Sequence, residues 1–180
     1  MLIKRDSACL LVVDVQERLA PAMAEPDTVV RNVAILMQAA ARLGVPVLAS
    51  EQYPQGLGRT VPELRALAPA TAFFSKIDFS CATDSGLRAR IAEAGRKQVV
   101  ICGIEAHVCV LQTALGLQQE DYETFVVADA VSSRAPLSRE TALRRLRDNG
   151  VELVTTEMVV FEWLGKAGTP EFKDLSRLIK

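Results

Sequence analysis

The fold is decided by residues 98–110, which read QVVICGIEAHVCV. After Gln98 the segment begins with an unbroken apolar run of the length that is typical of a strand buried on both faces. Beyond the run, apolar residues recur at helical spacing, at Val108, Leu111 and Leu115. A short buried strand that leads directly into a helix is the repeating unit of parallel sheets.

The same alternation of apolar run and helical pattern extends along the whole chain. Six runs predict six strands, at residues 9–15, 45–50, 71–75, 98–102, 124–128 and 151–155. The segments between them have helical periodicity, as in Val29, Val33 and Leu36. Right-handed crossovers between such strands predict an α/β fold: a three-layer α/β/α sandwich around a doubly wound, mainly parallel six-stranded sheet of Rossmann-like order 3-2-1-4-5-6.

Local signals predict where three helices begin or end. Residues 60–63, which read TVPE, have the pattern of a capping box. Residues 149–150, which read NG, are typical of a helix C-terminus. Residues 169–170, which read TP, predict a last helix whose apolar side would extend as far as Ile179.

Composition limits the class of protein. The 180 residues are 49% hydrophobic and 24% charged, and no linker or repeat divides them, so a single domain over residues 1–180 is expected. The net charge is −1, from 21 Lys and Arg against 22 Asp and Glu, which offers no cationic excess for nucleic acid or an anionic membrane. No apolar run approaches the roughly 20 residues of a membrane span.

Cysteine usage and the first residues predict the compartment. Residues 1–6 lack the apolar stretch of a signal peptide, because Lys4 and Arg5 interrupt it. The four cysteines form no Cys-x-x-Cys pair, and a domain of this size needs no disulfide for stability. We therefore expect free thiols and a cytoplasmic location.

Several familiar sites are missing from the sequence. Residues 14–17, which read DVQE, stand where a dinucleotide site would need its glycines, and no P-loop sequence occurs. The glycines at Gly56 and Gly58 favour a flexible lid over a phosphate cradle. His107 is the single histidine, which makes a catalytic zinc or a Ser-His-Asp triad a poor fit. We expect neither a metal nor a cofactor.

Polar residues follow the predicted strands, at the sheet edge where doubly wound folds carry their sites. These candidates are Asp14, Glu51, Lys76, residues 103–109 and Asp129.

The thiol of Cys109 is the candidate nucleophile, because it would lie in the first turn of a helix that follows the fourth strand. Lowering a thiol pKa from about 8.5 to about 6 needs roughly 3.4 kcal/mol, and a helix N-terminus supplies at most about 2 kcal/mol. Asp14 would face Cys109, since strands one and four are predicted neighbours. A carboxylate raises a neighbouring thiol pKa, so Asp14 is predicted to act as a base during attack, with Lys76 offsetting the repulsion.

Three motifs together resemble the isochorismatase-like cysteine hydrolases. They are residues 10–16 (LLVVDVQ), 74–76 (FSK) and 103–110 (GIEAHVCV), and residues 50–58 (SEQYPQGLG) are similar to the branch of isochorismatase domain-containing proteins. The resemblance covers nearly the whole chain, in the same order and spacing.

The resemblance implies a site as well as a fold. It implies a catalytic triad of Asp14, Lys76 and Cys109, and a cis peptide between Ile104 and Glu105. The backbone N–H groups of Glu105 and Cys109 would then form an oxyanion hole. It also implies a homo-oligomer, a dimer or larger.

Two departures from the family narrow the activity. Nicotinamidases of this superfamily bind a metal through Asp-x-His and a second histidine, which residues 51–53 (EQY) do not provide. Ala106 stands where the family often has threonine, so one hydroxyl is missing from the wall of the predicted pocket. Isochorismatase proper lacks the cysteine, so the presence of Cys109 argues against isochorismate as the substrate.

The remaining candidates concern the pocket and the other reactive side chains. A substrate pocket is predicted to be lined by Gln16, Tyr53, Leu57, Phe79 and Ala106. His107 is interpreted as a helix-start or interface residue, and the role of Cys81 stays open.

The leading hypothesis is a metal-free, cofactor-free cysteine hydrolase that cleaves a small amide or related C–N bond through a thioester. One alternative is a binding or scaffold protein with the same fold. A second is a redox-sensing thiol protein, for which Cys102 is the sequence-local resolving cysteine of Cys109.

Overall fold

A computed structural model of the chain describes residues 1–179 and contains one six-stranded sheet in the order β3-β2-β1-β4-β5-β6. All neighbouring strands are parallel. The strands are β1 (Ala8–Val13), β2 (Val47–Gln52), β3 (Phe73–Lys76), β4 (Gln98–Ile104), β5 (Glu123–Ser132) and β6 (Glu152–Val154). This order confirms the predicted doubly wound sheet, whose switch point lies between β1 and β4.

Helices connect successive strands. They are α1 (Pro26–Leu43), α2 (Pro54–Leu57), α3 (Pro62–Arg65), α4 (Ser85–Glu93), α5 (Leu111–Gln119), α6 (Pro136–Asp148), α7 (Thr156–Leu164) and α8 (Pro170–Leu175). A π-helical turn, Ala106–Val110, joins the end of β4 to α5. Short 3₁₀ turns occupy Ala20–Ala22 and Ala70–Ala72.

The two faces of the sheet carry separate hydrophobic cores. Along β1, Leu10 and Val12 pack with residues of α1, α7 and α8. Leu11 and Val13 point the other way, toward α4, α5 and α6. Every residue of β1 is buried, which explains the unbroken apolar run in the sequence. The result is the predicted three-layer α/β/α architecture.

Gly103 brings the carboxyl ends of β1 and β4 into close contact. Its φ is +113°, a conformation that favours glycine, and a Cβ at this position would overlap the backbone of Val13. The β4–β5 pairing also shifts register between Ile101 and Gly103. The segment after β4 therefore passes directly beside Asp14, the residue that follows Val13.

The predicted helix ends are confirmed in two places and wrong in one. Gly150 follows α6 with φ +85°, and the Thr169 hydroxyl accepts a hydrogen bond from Phe172 at the start of α8. That helix ends at Leu175, so Ile179 packs on the core from outside it. Thr60 does not cap α3, because its hydroxyl donates to the buried carboxylate of Glu51 instead.

Helix lengths also bear on membrane insertion. Within residues 1–179, every helix is too short or too polar to span a lipid bilayer.

Candidate active site

Asp14 and Lys76 form a buried ion pair at the carboxyl edge of the sheet. The Lys76 Nζ lies 2.7 Å from Asp14 Oδ2, and both side chains are 0% exposed. Lys76 ends the edge strand β3, two strands from β1, so its long side chain crosses the end of β2 to reach the carboxylate. Asp14 has φ 52°, a left-handed conformation that costs free energy and that often marks functional positions.

Side chains of β2 complete the hydrogen bonds of this pair. Ser50 Oγ donates to Asp14 Oδ1 at 2.7 Å. Lys76 Nζ donates to Gln52 Oε1 at 2.6 Å and to the Phe79 carbonyl at 3.1 Å, in addition to Asp14. An ammonium group has three protons, and each of them here has an acceptor.

The protonation of Lys76 follows from these partners. Burial alone would lower its pKa, but the Asp14 carboxylate, the nearby thiols and the hydrogen bond to Asp14 raise the pKa above its usual value. Lys76 therefore remains a cation at neutral pH.

Cys109 lies in the π-helical turn, beside the Asp14 carboxylate and within reach of the Lys76 charge. Burial, the Asp14 carboxylate and a hydrogen bond to Asp14 raise the pKa of the Cys109 thiol to about 12, while Lys76 acts in the opposite direction. Cys109 retains 5% exposure, whereas Asp14 retains none. The resting thiol is thus neutral, and a nucleophilic sulfur requires proton removal during the reaction.

The turn before Cys109 has an unusual backbone. The peptide bond between Ile104 and Glu105 is cis, the geometry that the family resemblance implies. The Glu105 carbonyl accepts from Val108 and Val110, whereas the Glu105 N–H meets no acceptor among residues 1–179. The Glu105 carboxylate accepts from the backbone N–H and Nε of Arg134, at 3.2 and 3.1 Å. That side-chain pairing fixes the turn and leaves the Glu105 N–H available.

Cys81, whose role the sequence leaves open, is a second thiol beside the site. Its backbone N–H donates to Thr113 Oγ1 at 2.9 Å, one helical turn beyond Cys109. Burial and the Asp14 carboxylate raise the pKa of Cys81 to about 11, whereas Lys76 and hydrogen bonds to Thr113 and Ser50 act against this. Cys81 is fully buried, so its thiol is inert.

Cys102 lies on the opposite face of the sheet from Cys109. Its side chain belongs to the core with α1 and α7, whereas Cys109 belongs to the core with α4 and α5. The Cys102–Cys109 pairing of the redox hypothesis is therefore wrong, because the sheet itself separates the two side chains.

The predicted pocket residues divide into two groups. Gln16 and Ala106 are 0% exposed. The Gln16 Nε2 donates to the carbonyls of Gln52 and Gly58, and its Oε1 accepts from the Gln52 N–H. Gln16 therefore fixes the neighbouring loop and is not an open pocket wall. Tyr53 and Phe79 are 52% and 55% exposed, and half-buried Leu57 is the last residue of helix α2.

The segment after β2, expected to be a flexible lid, is anchored at several points. Glu51 accepts hydrogen bonds from Thr60 at 2.8 and 2.9 Å and from Arg65 at 2.8 Å. Gln16 pairs with Thr60 in an antiparallel bridge. The Glu51 side chain thus lies on the face of the sheet away from Asp14. It stabilises the lid segment and is not part of the site.

Two other candidates lie outside the site. Asp129 accepts from the backbone N–H and hydroxyl of Thr156, at 2.8 and 3.0 Å, and thereby fixes the start of α7. His107 Nδ1 is 2.9 Å from Ser133 Oγ, which agrees with a helix-start role. Within residues 1–179, His, Cys, Asp and Glu side chains form no group of three suited to holding a metal ion.

An open cavity of about 280 Å³ adjoins the site at Lys76. Pro54, Gln55, Ile77, Asp78 and Asp84 are among its lining residues. Because the Lys76 side chain is 0% exposed, the cavity reaches the outside of the site and leaves the ion pair buried.

Several known proteins are similar to this chain. Residues 8–158 match the family described as the isochorismatase domain. Isochorismatase domain-containing protein 2 of Danio rerio is 43% identical over 172 residues, which are 94% of this chain and 85% of that protein. Secreted isochorismatase effector Isc1 of Phytophthora sojae is 40% identical over 178 residues, 97% of this chain and 85% of that protein.

Solved structures agree with the sequence matches. MAR1 ribonuclease from Caenorhabditis elegans has a TM-score of 0.93 at 34% identity, covering 99% of this chain and 92% of that one. The YcaC gene product from Escherichia coli, described as an octameric hydrolase of unknown specificity, has a TM-score of 0.93 at 26% identity, covering 99% and 90%.

The fold and the cluster at its sheet edge define a class of protein, the three-layer α/β/α hydrolases. Within that class, the family match and the relatives at about 40% identity are decisive. The chain belongs to the isochorismatase family.

Proposed function

We propose that the chain is a cysteine hydrolase that cleaves a small amide or related C–N bond through a thioester on Cys109. The observation that carries this proposal is the position of the Cys109 thiol beside the carboxylate of the buried Asp14–Lys76 pair. A buried ion pair is costly to form and contributes little to stability on its own, so its position against a thiol favours a chemical role.

The first half-reaction forms the acyl-enzyme. Asp14 takes the thiol proton while the sulfur attacks the carbonyl carbon, and the carbonyl oxygen becomes an oxyanion. The N–H groups of Glu105 and Cys109 stabilise that oxyanion. The C–N bond then breaks, the nitrogen receives the proton from Asp14, and an amine leaves.

The second half-reaction releases the acid. Asp14 takes a proton from water, the resulting hydroxide attacks the thioester, and the same N–H groups stabilise the oxyanion. When the C–S bond breaks, the sulfur regains a proton from Asp14. Lys76 holds Asp14 in position throughout and takes no part in proton transfer, because its three protons are already donated.

Hydrolysis of a small molecule is preferred over action on RNA. A solved relative is named a ribonuclease, yet this chain has net charge −1 and only one histidine, which is bonded to Ser133. Nucleic-acid binding usually needs a cationic surface to neutralise phosphates. A binding or scaffold role without turnover is the remaining alternative.

Oligomeric state, cofactors and location complete the proposal. The octameric YcaC protein supports a homo-oligomer, a dimer or larger. No metal or cofactor takes part in the proposed reaction. The cytoplasmic location stays a prediction.

Partitioning of the acyl group to hydroxylamine tests the thioester. A panel of small aliphatic and aromatic amides is incubated with the enzyme, with and without hydroxylamine, and acid and hydroxamate products are quantified. A thioester intermediate predicts hydroxamate formation at the expense of acid, with unchanged amine release where acylation limits the rate. No turnover of any amide, or turnover without any hydroxamate, would contradict the proposal.

A further inference from the structure

Strand β2 contributes polar side chains on only one of its faces to the site. Ser50 and Gln52 are two residues apart, so they point to the same face as Cys109, whereas Glu51 points to the other face and binds Thr60 and Arg65. Lys76 must cross this face to reach Asp14. Its ammonium group therefore passes within hydrogen-bonding distance of Gln52.

The orientation of the Gln52 amide is fixed by its two partners. Its Nε2 donates to the Ile77 carbonyl at 2.7 Å, and its Oε1 accepts from Lys76 Nζ at 2.6 Å. A carbonyl can only accept and an ammonium can only donate, so the opposite amide orientation would lose both bonds. The Gln52 backbone is held in addition by Gln16, through bonds of 2.7 and 2.9 Å.

We propose that Gln52 is a positioning residue that holds the Lys76 ammonium on Asp14 and away from the Cys109 sulfur. This inference rests on the proposed function, since it assigns the control of thiol reactivity at the same site. The neutral Gln52 oxygen takes the one Lys76 proton that is not bound by Asp14 or Phe79. Without that acceptor, the nearby sulfur of Cys109 is a group toward which the proton can turn.

Lys76 and Asp14 have opposite effects on the protonation of the Cys109 thiol. Lys76 already favours the Cys109 thiolate, but burial and Asp14 dominate and the thiol remains protonated. A resting thiol that keeps its proton gives Asp14 a proton to carry to the leaving amine. Gln52 thereby maintains the proton that the first half-reaction needs.

Two substitutions at Gln52 are expected to act in opposite directions. Gln52→Leu removes the acceptor, so a Lys76 proton can turn to the sulfur and the pKa of Cys109 falls. Gln52→Glu adds a carboxylate that attracts Lys76 and repels a thiolate, so the pKa of Cys109 rises. A merely structural role would move both variants in the same direction.

The measurement is the pH dependence of Cys109 alkylation by iodoacetamide, quantified on the Cys109 peptide by mass spectrometry. We expect alkylation at pH 8 to be about tenfold faster in Gln52→Leu, which corresponds to a fall of one pKa unit, and slower in Gln52→Glu. Gln38→Leu, which removes an amide on α1 bonded to Ala34 at 3.2 Å, is the matched control and should not change the rate.

The cysteines outside the site report on folding. Cys9 and Cys102 are fully buried, so their alkylation should stay slow in both Gln52 variants if the fold is intact. If Cys9 or Cys102 is alkylated rapidly in Gln52→Leu, that variant has lost its fold and the Gln52→Glu variant decides the test. Slower Cys109 alkylation in Gln52→Glu cannot arise from unfolding, because unfolding would expose the thiol. Equal Cys109 rates in wild type and both variants would overturn the inference.

A companion variant separates this inference from the proposed function. Asp14→Asn should change Cys109 alkylation if the thiol contacts the carboxylate. A change in Asp14→Asn with none in the Gln52 variants refutes only the role of Gln52. No change in any of the three refutes the thiol–carboxylate contact and with it the proposed function.

Discussion

Replacing Lys76 with Met is expected to lower the free energy of unfolding by about 3–5 kcal/mol, the usual effect of leaving one member of a buried ion pair without its partner. The Asp14 carboxylate would keep only Ser50 and Cys109 as donors in a site where both charged side chains are 0% exposed. Amide turnover should fall as well, because Asp14 would lose the ammonium group that orients it for proton transfer. Thermal or urea unfolding and amide turnover measure the two effects.

A double variant tests whether the charge imbalance is the cause. Combining Lys76→Met with Asp14→Asn removes both charges, so much of the lost stability should return, although turnover should not. Equal stability of the Lys76→Met and wild-type proteins would show that the ion pair is not buried in solution.

Replacing Cys109 with Ala is expected to reduce amide turnover by at least about 10⁴-fold, because removal of a nucleophile leaves only binding and oxyanion stabilisation. Folding should be nearly unaffected, since the change removes one sulfur atom from a side chain that is still 5% exposed. The measurement is kcat on the best amide of the panel.

Cys102→Ala provides the matched control. It removes the same atom from a fully buried position on the opposite face of the sheet, where no reacting group lies. Its turnover should remain within a few fold of wild type. Residual activity in Cys109→Ala comparable to that of Cys102→Ala would exclude the sulfur as nucleophile.

The sheet could be predicted from the sequence because its strands are buried on both faces. Each of the six apolar runs overlaps a strand, and the order of the strands follows from general rules of α/β folds. The largest error in strand length concerns β5, predicted over residues 124–128 and observed over Glu123–Ser132. Asp129 interrupts its apolar pattern, but the carboxylate is bonded to Thr156 and does not end the strand.

The three proposed catalytic residues could be found because each follows a strand of the sheet. Asp14, Lys76 and Cys109 come from separate parts of the chain, and a parallel sheet brings its carboxyl ends to one edge. The path of Lys76 over β2 could not be derived, because strand order does not specify where a long side chain bends.

The supporting residues of the site were missed for a different reason. Ser50, Gln52 and Cys81 are ordinary residues in the sequence, and their roles depend on hydrogen bonds to groups that lie far away along the chain. Alternation along β2 would have placed Ser50 and Gln52 on one face, and that signal could have identified them as partners of Lys76. Cys81 offered no comparable pattern.

The most direct test of the account compares thiol reactivity and turnover in Asp14→Asn. Because the carboxylate raises the pKa of Cys109, its removal should speed alkylation of Cys109 at pH 7 by about tenfold for each unit that the pKa falls. Amide turnover should nevertheless decrease by about 10²–10⁴-fold, because no group remains to carry the proton to the leaving amine. Wild-type turnover in Asp14→Asn, or Cys109 alkylation that does not respond to the substitution, would contradict the account.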